Sequence, residues 1–346
     1  MSATAPMDDR ELEALRRHGF GVAYRMIGSV SEAEDVVQEA LLRLTRQEGT
    51  IDEPAAWMTT VVTRLSINVL KSARVRRESY VGPWLPEPLL EDPEPGPDSR
   101  AELADSLSLA LLVLMERLTP VERAAYLLRE VFGYGYAEIA AIIEQTEVNS
   151  RQLATRARKH LEASRPRFDA DEAARDALLD RFLAAAEEGD LEGLEELLAK
   201  DAVLYADSGG KAAAPQEPLV GAALIARFLA AVSQRRPLSG EFESRPVRVN
   251  GQPGRLLRGP AEPPLGEAER LAAEKALAAL KSADLDAEQF AALVKSAREA
   301  AAGRTPRAGS QPPAESRVWS VFTVDVVAGR IQAVRIVRNP DKLAHL

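Results

Sequence analysis

Cysteine is missing from all 346 residues, which excludes disulfides, thiolate metal sites, a cysteine nucleophile and thiol redox sensing together. Histidine is nearly as scarce. His18, His160 and His345 lie far apart in sequence, so a His-built metal centre would need unusual help from carboxylates, and no metal or other cofactor is expected. No apolar run reaches the roughly 18–20 residues of a membrane span and no signal peptide opens the sequence, which predicts a cytoplasmic protein with no membrane partner. An apolar fraction of 46% with 28% charged residues is a globular balance, and the length suggests two or three domains.

An overall excess of positive charge is also missing. The formal net charge of −9 argues against nucleic acid, but the charge is segregated along the chain. Arg64, Lys71, Arg74, Arg76 and Arg77 form a basic stretch without an acid. Arg151, Arg156, Arg158, Lys159, Arg165 and Arg167 form another, against Glu162 alone. Between them Glu87, Glu91, Asp92, Glu94, Asp98, Glu102 and Asp105 oppose only Arg100. Counter-ion release depends on the face that meets phosphate, so the local pattern outweighs the sum.

The chain divides into four parts. Residues 8–80 read as helices: Leu12, Leu15, Tyr24 and Ile27 keep helical spacing up to Gly28. Ser31 and Glu34 suggest a capping box for a second helix carrying Val37, Leu41 and Leu44. Asp52 and Pro54 open a third helix bearing Trp57, Val61, Leu65 and Leu70. Residues 81–101 hold six prolines between Gly82 and Ser99 and read as an extended acidic linker. Residues 102–165 read as helices again. Thr119-Pro120-Val121-Glu122 is a capped start, Phe132–Gly135 a break, Tyr136–Ile143 a short helix, and Thr146 the cap of a basic helix ending near Pro166. Two short helices across a tight turn, the second basic, form a helix-turn-helix pattern.

Residues 170–346 read as an α+β domain. Helices near Glu172–Glu188 and Leu191–Lys200 precede a strand-like Ala202–Ala206, a helix at Ala222–Val232 and an alternating Glu241–Val249. Val318–Val327 and Arg330–Val337 read as a hairpin about Ala328-Gly329. The Ala-, Glu- and Lys-rich segment of about 259–316 reads as a helical hairpin inserted between strands.

Asp35, Gln38 and Glu39, at i, i+3 and i+4, share a helix face opposite Val37 and Leu41; by itself this is a solvated acidic face. The surrounding sequence says more. AEDVVQEALLRL, AAWMTTVVTRLSINVLKSARVRRE and GPWLPEPL, followed by LTPVERAAYLLREVFGYGYAEIAAII and NSRQLATRARKHL, resemble in order the extracytoplasmic-function sigma factors of the sigma-70 family. The resemblance spans roughly residues 8–165. It implies an all-α region 2 bundle, an all-α region 4 helix-turn-helix, and the β′ and β subunits of core RNA polymerase and promoter DNA as partners.

Residue by residue, the resemblance assigns Asp35, Gln38 and Glu39 to the β′ coiled coil. It assigns Arg64, Asn68, Lys71, Arg74, Arg76 and Arg77 to the −10 element, where melted strands need stacking surfaces and cations. Thr146, Asn149, Arg151, Gln152, Thr155, Arg156 and Lys159, at the start and outer face of the second helix, go to the −35 element. Two positions depart from the family pattern: Glu144-Gln145 stands in a turn that usually holds Gly, and Gly135 where a Ser cap is common. The acidic linker resembles the segment that relatives thread through the polymerase cleft.

The C-terminal domain resembles the SnoaL-like superfamily, a cone-shaped barrel of strands wrapped by helices. Within it, Tyr205-Ala-Asp-Ser-Gly-Gly-Lys211 resembles a DGGGK segment with Ser208 in place of a Gly, and Val249-Asn-Gly-Gln-Pro253 and Asn339-Pro-Asp-Lys-Leu343 are further marks, while Trp84-Leu-Pro-Glu-Pro88 stands in the linker. Together with the sigma domains these are similar to a subgroup carrying a fused regulatory domain, which implies regulatory contacts for Trp84, Asp207, Lys211, Asn339, Pro340, Asp341, Lys342 and Leu343. Asp207 and Lys211 also suit a cyclase or isomerase-type active site, or a ligand-sensing pocket, fused to a DNA-binding module. With no histidine in the body of the domain and no P-loop spacing, catalysis is not expected and no catalytic residue is assigned. A small ligand of the cone stays open.

Overall fold

The computed structural model describes residues 7–47, 51–90, 107–164, 172–233, 243–259, 267–281, 292 and 317–346. They fall into two units, one drawn from residues 1–79 and 105–165, the other from 80–104 and 166–346.

In the first unit, helix starts and stops follow local chemistry. Asp8 and Glu11 exchange backbone hydrogen bonds at 2.7 and 3.0 Å, a capping box that opens α1 (Asp9–Ile27). Gly28 closes it in the left-handed region, φ 75°. The chain turns so tightly there that Ser29, not the expected Ser31, caps α2 (Val30–Thr45), its Oγ accepting from the Glu32 N–H at 3.3 Å. The third helix, α3 (Pro54–Glu78), begins with proline in its first turn as expected.

The three helices bury Leu15, Val22 and Ile27, Ala33, Val37 and Ala40, and Met58, Val62, Ile67 and Leu70. This corrects the apolar count in two places. Leu12 is exposed. In α3, Trp57, Val61 and Leu65 are only half-buried. The buried face of α3 is carried partly by Thr59, Thr63 and Ser66, which an apolar stripe overlooks. Thr59 turns its hydroxyl to the Ala55 carbonyl at 3.0 Å and meets His18 Nε2 at 2.7 Å, so this polar group is buried with partners.

The remaining helices of this unit are α4 (Leu109–Met115), α5 (Pro120–Glu130), α6 (Tyr136–Ile143) and α7 (Glu147–Ser164). Thr119 and Glu122 cap α5 reciprocally, and Gly135 donates its N–H to the Glu138 carboxylate at 2.7 Å at the start of α6. The Ser replaced by Gly135 is therefore not needed to hold that helix end. Glu144, at the α6–α7 turn, sits in the left-handed region, φ 56°, where Gly would be unstrained.

In the second unit α8 (Glu172–Glu188) and α9 (Leu191–Leu197) lead into β1 (Leu198–Asp207), which begins earlier than the sequence suggests because Leu198 already pairs with Ile331. β2 (Leu219–Val220), α10 (Ala222–Ser233), β3 (Glu243–Val249), β4 (Gln252–Gly259), α11 (Glu267–Leu280), β5 (Arg317–Val327), β6 (Arg330–Val337) and a terminal turn of helix, α12 (Pro340–Leu343), follow.

The strands form one sheet in the order β2-β1-β6-β5-β4-β3, with β1 and β6 parallel and the other pairs antiparallel. Leu204, Val324, Val326, Val334 and Ile336 pack against Leu179, Phe182, Leu194, Ile225 and Leu229 of the helices. Gly259 pairs directly with Arg317, so residues 260–316 are inserted between neighbouring strands. Of this insertion, α11 rests on α10 through Leu277 and Leu280. The second helix expected in the insertion lies outside the described residues.

Both tight hairpins have two positive-φ residues, Asn250-Gly251 and Ala328-Gly329. That is the handedness a right-twisted pair of strands requires. Asn suits the first position; Ala328, at φ 49°, does not. Ala328→Asn is expected to stabilise the C-terminal unit by about 0.5–1 kcal/mol, read as a shift in its denaturant midpoint at unchanged slope.

Candidate functional site

Three groups of residues present chemistry. The first is the outer face of α2. Asp35 and Gln38 are exposed, and Glu39 is half-exposed and pairs with Arg43 at 2.8 Å. The face also carries Leu42, 43% exposed, one turn beyond the acids. Leu42 escaped the sequence reading because the Val37 and Leu41 stripe accounts for helix packing without it.

The second group lies on α7. Thr146 caps the helix, accepting from the Asn149 N–H at 3.2 Å. Leu153, Ala154, Ala157 and Leu161 face the core, while Arg151, Gln152, Thr155, Arg156 and Lys159 stay exposed. Arg151 is pre-oriented by Glu147 at 3.3 Å and by the Tyr136 ring at 4.9 Å. Arg156 reaches Glu122 at 3.6 Å, Arg158 pairs with Glu130, and Asn149 donates to Gln145 at 2.7 Å. Val148 is 69% exposed on the same outer face as Gln152 and Thr155. Such an apolar group is what a thymine methyl contacts in the major groove.

On α3, Asn68 and Lys71 are exposed and unburdened by packing. Arg74, Arg76 and Arg77 belong to the last turns of that helix; their side chains lie outside the described residues, as does the acidic stretch from Glu91 to Asp105. Arg64 differs from the others. Its guanidinium donates to the carbonyls of Ile142 and Ala141 at 2.9 and 2.8 Å and lies 3.4 Å from the Glu144 carboxylate, so its donors are engaged within the chain although the side chain is about half-exposed.

The third group is a clasp in the second unit. Asp207 ends β1 wholly buried. Its Oδ1 accepts from the Tyr80 hydroxyl at 2.5 Å, and its Oδ2 accepts from the Leu85 N–H at 2.7 Å and from Lys342 Nζ at 2.6 Å. The backbone carbonyl of Asp207 accepts from the Arg338 and Asn339 N–H groups at 2.7 and 2.9 Å. Lys342, itself buried, also donates to the Leu85 carbonyl and lies 4.2 Å from the Trp84 ring and 5.0 Å from that of Tyr80. Asn339 donates to the Tyr80 oxygen at 2.9 Å, and Lys211 pairs with Asp341 at the surface. Leu343 is buried; Pro340 is exposed at the first helical position.

Tyr80 to Leu90 therefore belongs to the C-terminal fold. Leu85, Pro86, Glu87 and Pro88 are buried, which corrects the expectation of a solvated spacer for this part of the linker. Asn250 and Leu89 exchange two hydrogen bonds, at 3.1 Å to the side chain and 2.9 Å from the backbone, and Leu90 bridges to Val249. His345 meets the Pro88 carbonyl at 2.9 Å. Tyr80, Leu85, Asn250 and His345 were missed by the sequence reading. Leu85 and Asn250 entered it only inside the segments Trp84–Pro88 and Val249–Pro253, with no contact assigned to either.

The DSGGK segment is explained by the same contacts. Gly209 and Gly210 have φ of 56° and 72°, and a Cβ on Gly209 would come within 2.5 Å of the Asn339 amide. Ser208 is not in the left-handed region, so a side chain is acceptable there. As an active-site carboxylate Asp207 is poorly placed: both oxygens are engaged and no solvent reaches it. Among the described residues no group of three His, Asp or Glu could hold a metal ion, and no helix is long and apolar enough to cross a membrane.

These features define a protein with two helical modules, one carrying a cationic helix, and a linker-gripping α+β domain. A sequence profile of sigma-70 region 2 matches residues 12–76, and one of sigma-70 region 4 matches residues 108–161. The ECF RNA polymerase sigma factor SigJ of Mycobacterium tuberculosis is 38% identical over 255 residues, covering 73% of this chain and 82% of the relative. A probable ECF RNA polymerase sigma factor, SigI of the same species, is 37% identical over 189 residues, 54% of this chain and 64% of the relative. The crystal structure of M. tuberculosis SigJ superposes with a TM-score of 0.65 at 30% identity, covering 97% of this chain and 98% of that one. The chain belongs to the extracytoplasmic-function RNA polymerase sigma factors, proteins of promoter-directed transcription initiation.

Removing one partner of a buried pair strands the other, so Lys342→Met is expected to cost about 3–5 kcal/mol in the C-terminal unit, measured by denaturant unfolding. Burial, and then the Asp207 carboxylate, raise the Tyr80 phenol above its ordinary 10.0. An unfolded tyrosine ionises first as pH rises, so the clasp contributes fully below about pH 10 and weakens progressively above it. Unfolding measured from pH 8 to 11 should show that loss, and Tyr80→Phe should flatten it.

Proposed function

We propose that this sigma factor, working in the cytoplasm, docks on the β′ coiled coil of core polymerase through Asp35, Gln38 and Glu39, with Leu42 as an apolar anchor. Several such contacts aligned on one rigid helix supply register and association rate more than raw affinity. Asn68, Lys71, Arg74, Arg76 and Arg77 then serve the −10 element, joined by Arg64 once it is released from α6. In the −35 element, Asn149, Arg151 and Gln152 read base edges from the first turns of α7 with Val148 beside them, Thr146 holds the helix start, and Thr155, Arg156 and Lys159 follow the backbone. The stretch Glu91–Asp105 offers carboxylates to the basic cleft between β′ and β.

The C-terminal domain tunes this activity by holding the linker between the two promoter-reading regions. The observation that carries the regulatory reading is the grip of Lys342 and Asn339 on Tyr80 and Leu85 through Asp207. A ligand need not take part, since the clasp is made of the chain's own groups.

Two measurements test this reading. Reversing Asp35 and Glu39 to lysine should weaken core binding at least tenfold with the fold retained, since both occupy a helix surface; unchanged affinity in a titration rules out the docking face. In transcription with purified core enzyme, Asn339→Ala and Trp84→Ala should change promoter output while the preferred promoter sequence stays the same. Equal output from both variants and the parent would remove the regulatory role.

A further inference from the structure

We propose that the free protein holds its two promoter-reading halves closed on each other through an arginine latch, Arg64 on the C-terminal end of α6 with Glu144 as its anionic jaw. A helix C-terminus presents carbonyls that have no partner within the helix and a partial negative charge. The Arg64 guanidinium, a planar fork of donors, meets two of them, Ala141 and Ile142, at 2.8 and 2.9 Å. Glu144 adds its carboxylate at 3.4 Å from the next residues of the chain. This gives a reason for an otherwise unfavourable choice. Glu144 occupies a left-handed position, φ 56°, that glycine would fill without strain, and the side chain kept there is the one that answers Arg64.

The closure has a second pin running the other way. Arg123 of α5 is 2% exposed, and its Nη2 donates to the Arg25 carbonyl in the last turn of α1 at 3.2 Å. Burial draws its guanidinium pKa down to about 9, and Glu116 answers its charge at 2.5 Å. Each half thus sends an arginine to the carbonyl end of a helix in the other. Phe132 completes the seam, with Arg25 5.7 Å from its ring centroid and His18 edge-on at 6.5 Å.

The two pins differ in strength. Arg123 is sealed in, whereas Arg64 is about half-exposed and Glu144 largely so, and their contact is therefore screened and easily yielded. It has to yield. Elements about two helical turns apart on a promoter are separated by roughly 70 Å, and α3 cannot keep hydrogen bonds to α6 while the two modules occupy them. The closed form therefore lowers apparent affinity for polymerase by the fraction of molecules that are open, and it withholds Arg64 from phosphate until opening. Only this consequence rests on the sigma-factor reading; the latch itself is a property of the free chain.

The absence of cysteine makes the test clean. Spin labels at Arg17→Cys on α1 and Glu162→Cys on α7, both exposed, report the separation of the halves in the full chain by pulsed dipolar spectroscopy. The parent should give one narrow distance. Glu144→Arg and Arg64→Ala, each checked for unchanged helicity by circular dichroism, should add a longer and broader population several-fold above the parent's. Without DNA, Glu144→Arg should bind core polymerase at least threefold more tightly. A broad distribution in the parent, or unchanged distances in both variants, overturns the latch whatever the polymerase result. Altered distances with unchanged polymerase affinity overturn the claim that opening limits binding. Loss of binding on charge reversal at Asp35 and Glu39 belongs to the docking face and leaves both outcomes readable.

Discussion

A carboxylate removed from water must find donors, and Asp207 finds them in two stretches of the chain far apart in sequence. Tyr80 and Leu85 come from the linker, Lys342 from the last helical turn, and the Arg338 and Asn339 N–H groups close on its backbone. None of these contacts can be given up alone, because a half-satisfied buried network costs more than an apolar one. The linker from Tyr80 to Leu90, the end of β1 and α12 are consequently one cooperative piece of structure. The glycines at 209 and 210 follow from it, since backbone there passes too close to Asn339 and Val81 to tolerate a side chain.

The helical unit uses a different device for long-range order. Its arginines are spent on helix ends and aromatic faces as much as on solvent: Arg64 and Arg123 on carbonyls, Arg129 and Arg151 on the Tyr136 ring. A local excess of positive charge thus serves two purposes, holding elements together and leaving a cationic face on α7. The acids of α2 are kept on the far side of their helix from the core, where they remain available to a partner.

Much of this was legible because it is local. Thr119-Pro120 with Glu122, Gly28 and Ala328-Gly329 each fix a helix end or a turn through residues within a few positions of one another. The recognition helix was legible because its apolar and basic residues separate at helical period. Three features were not. The buried face of α3 includes Thr59, Thr63 and Ser66, whose small size suits close packing while their polarity hides them from an apolar count. Glu87, surrounded by prolines and acids, reads as solvated and is buried. Arg64 reads as a DNA contact because its carbonyl partners lie 77 and 78 positions away, and no spacing rule connects them.

That long reach along the chain also sets an order of events during synthesis. Asn339 follows Tyr80 by 259 residues, and Lys342 follows Leu85 by 257. At roughly 5–20 residues per second a ribosome needs on the order of 10–50 seconds to supply the later partners after the linker is made. Helices can form within microseconds and small helical domains within milliseconds, so the promoter-reading modules are complete long before the clasp is. Every newly made molecule therefore passes through an interval in which its linker is unclaimed, and the rate of translation sets how long that interval lasts.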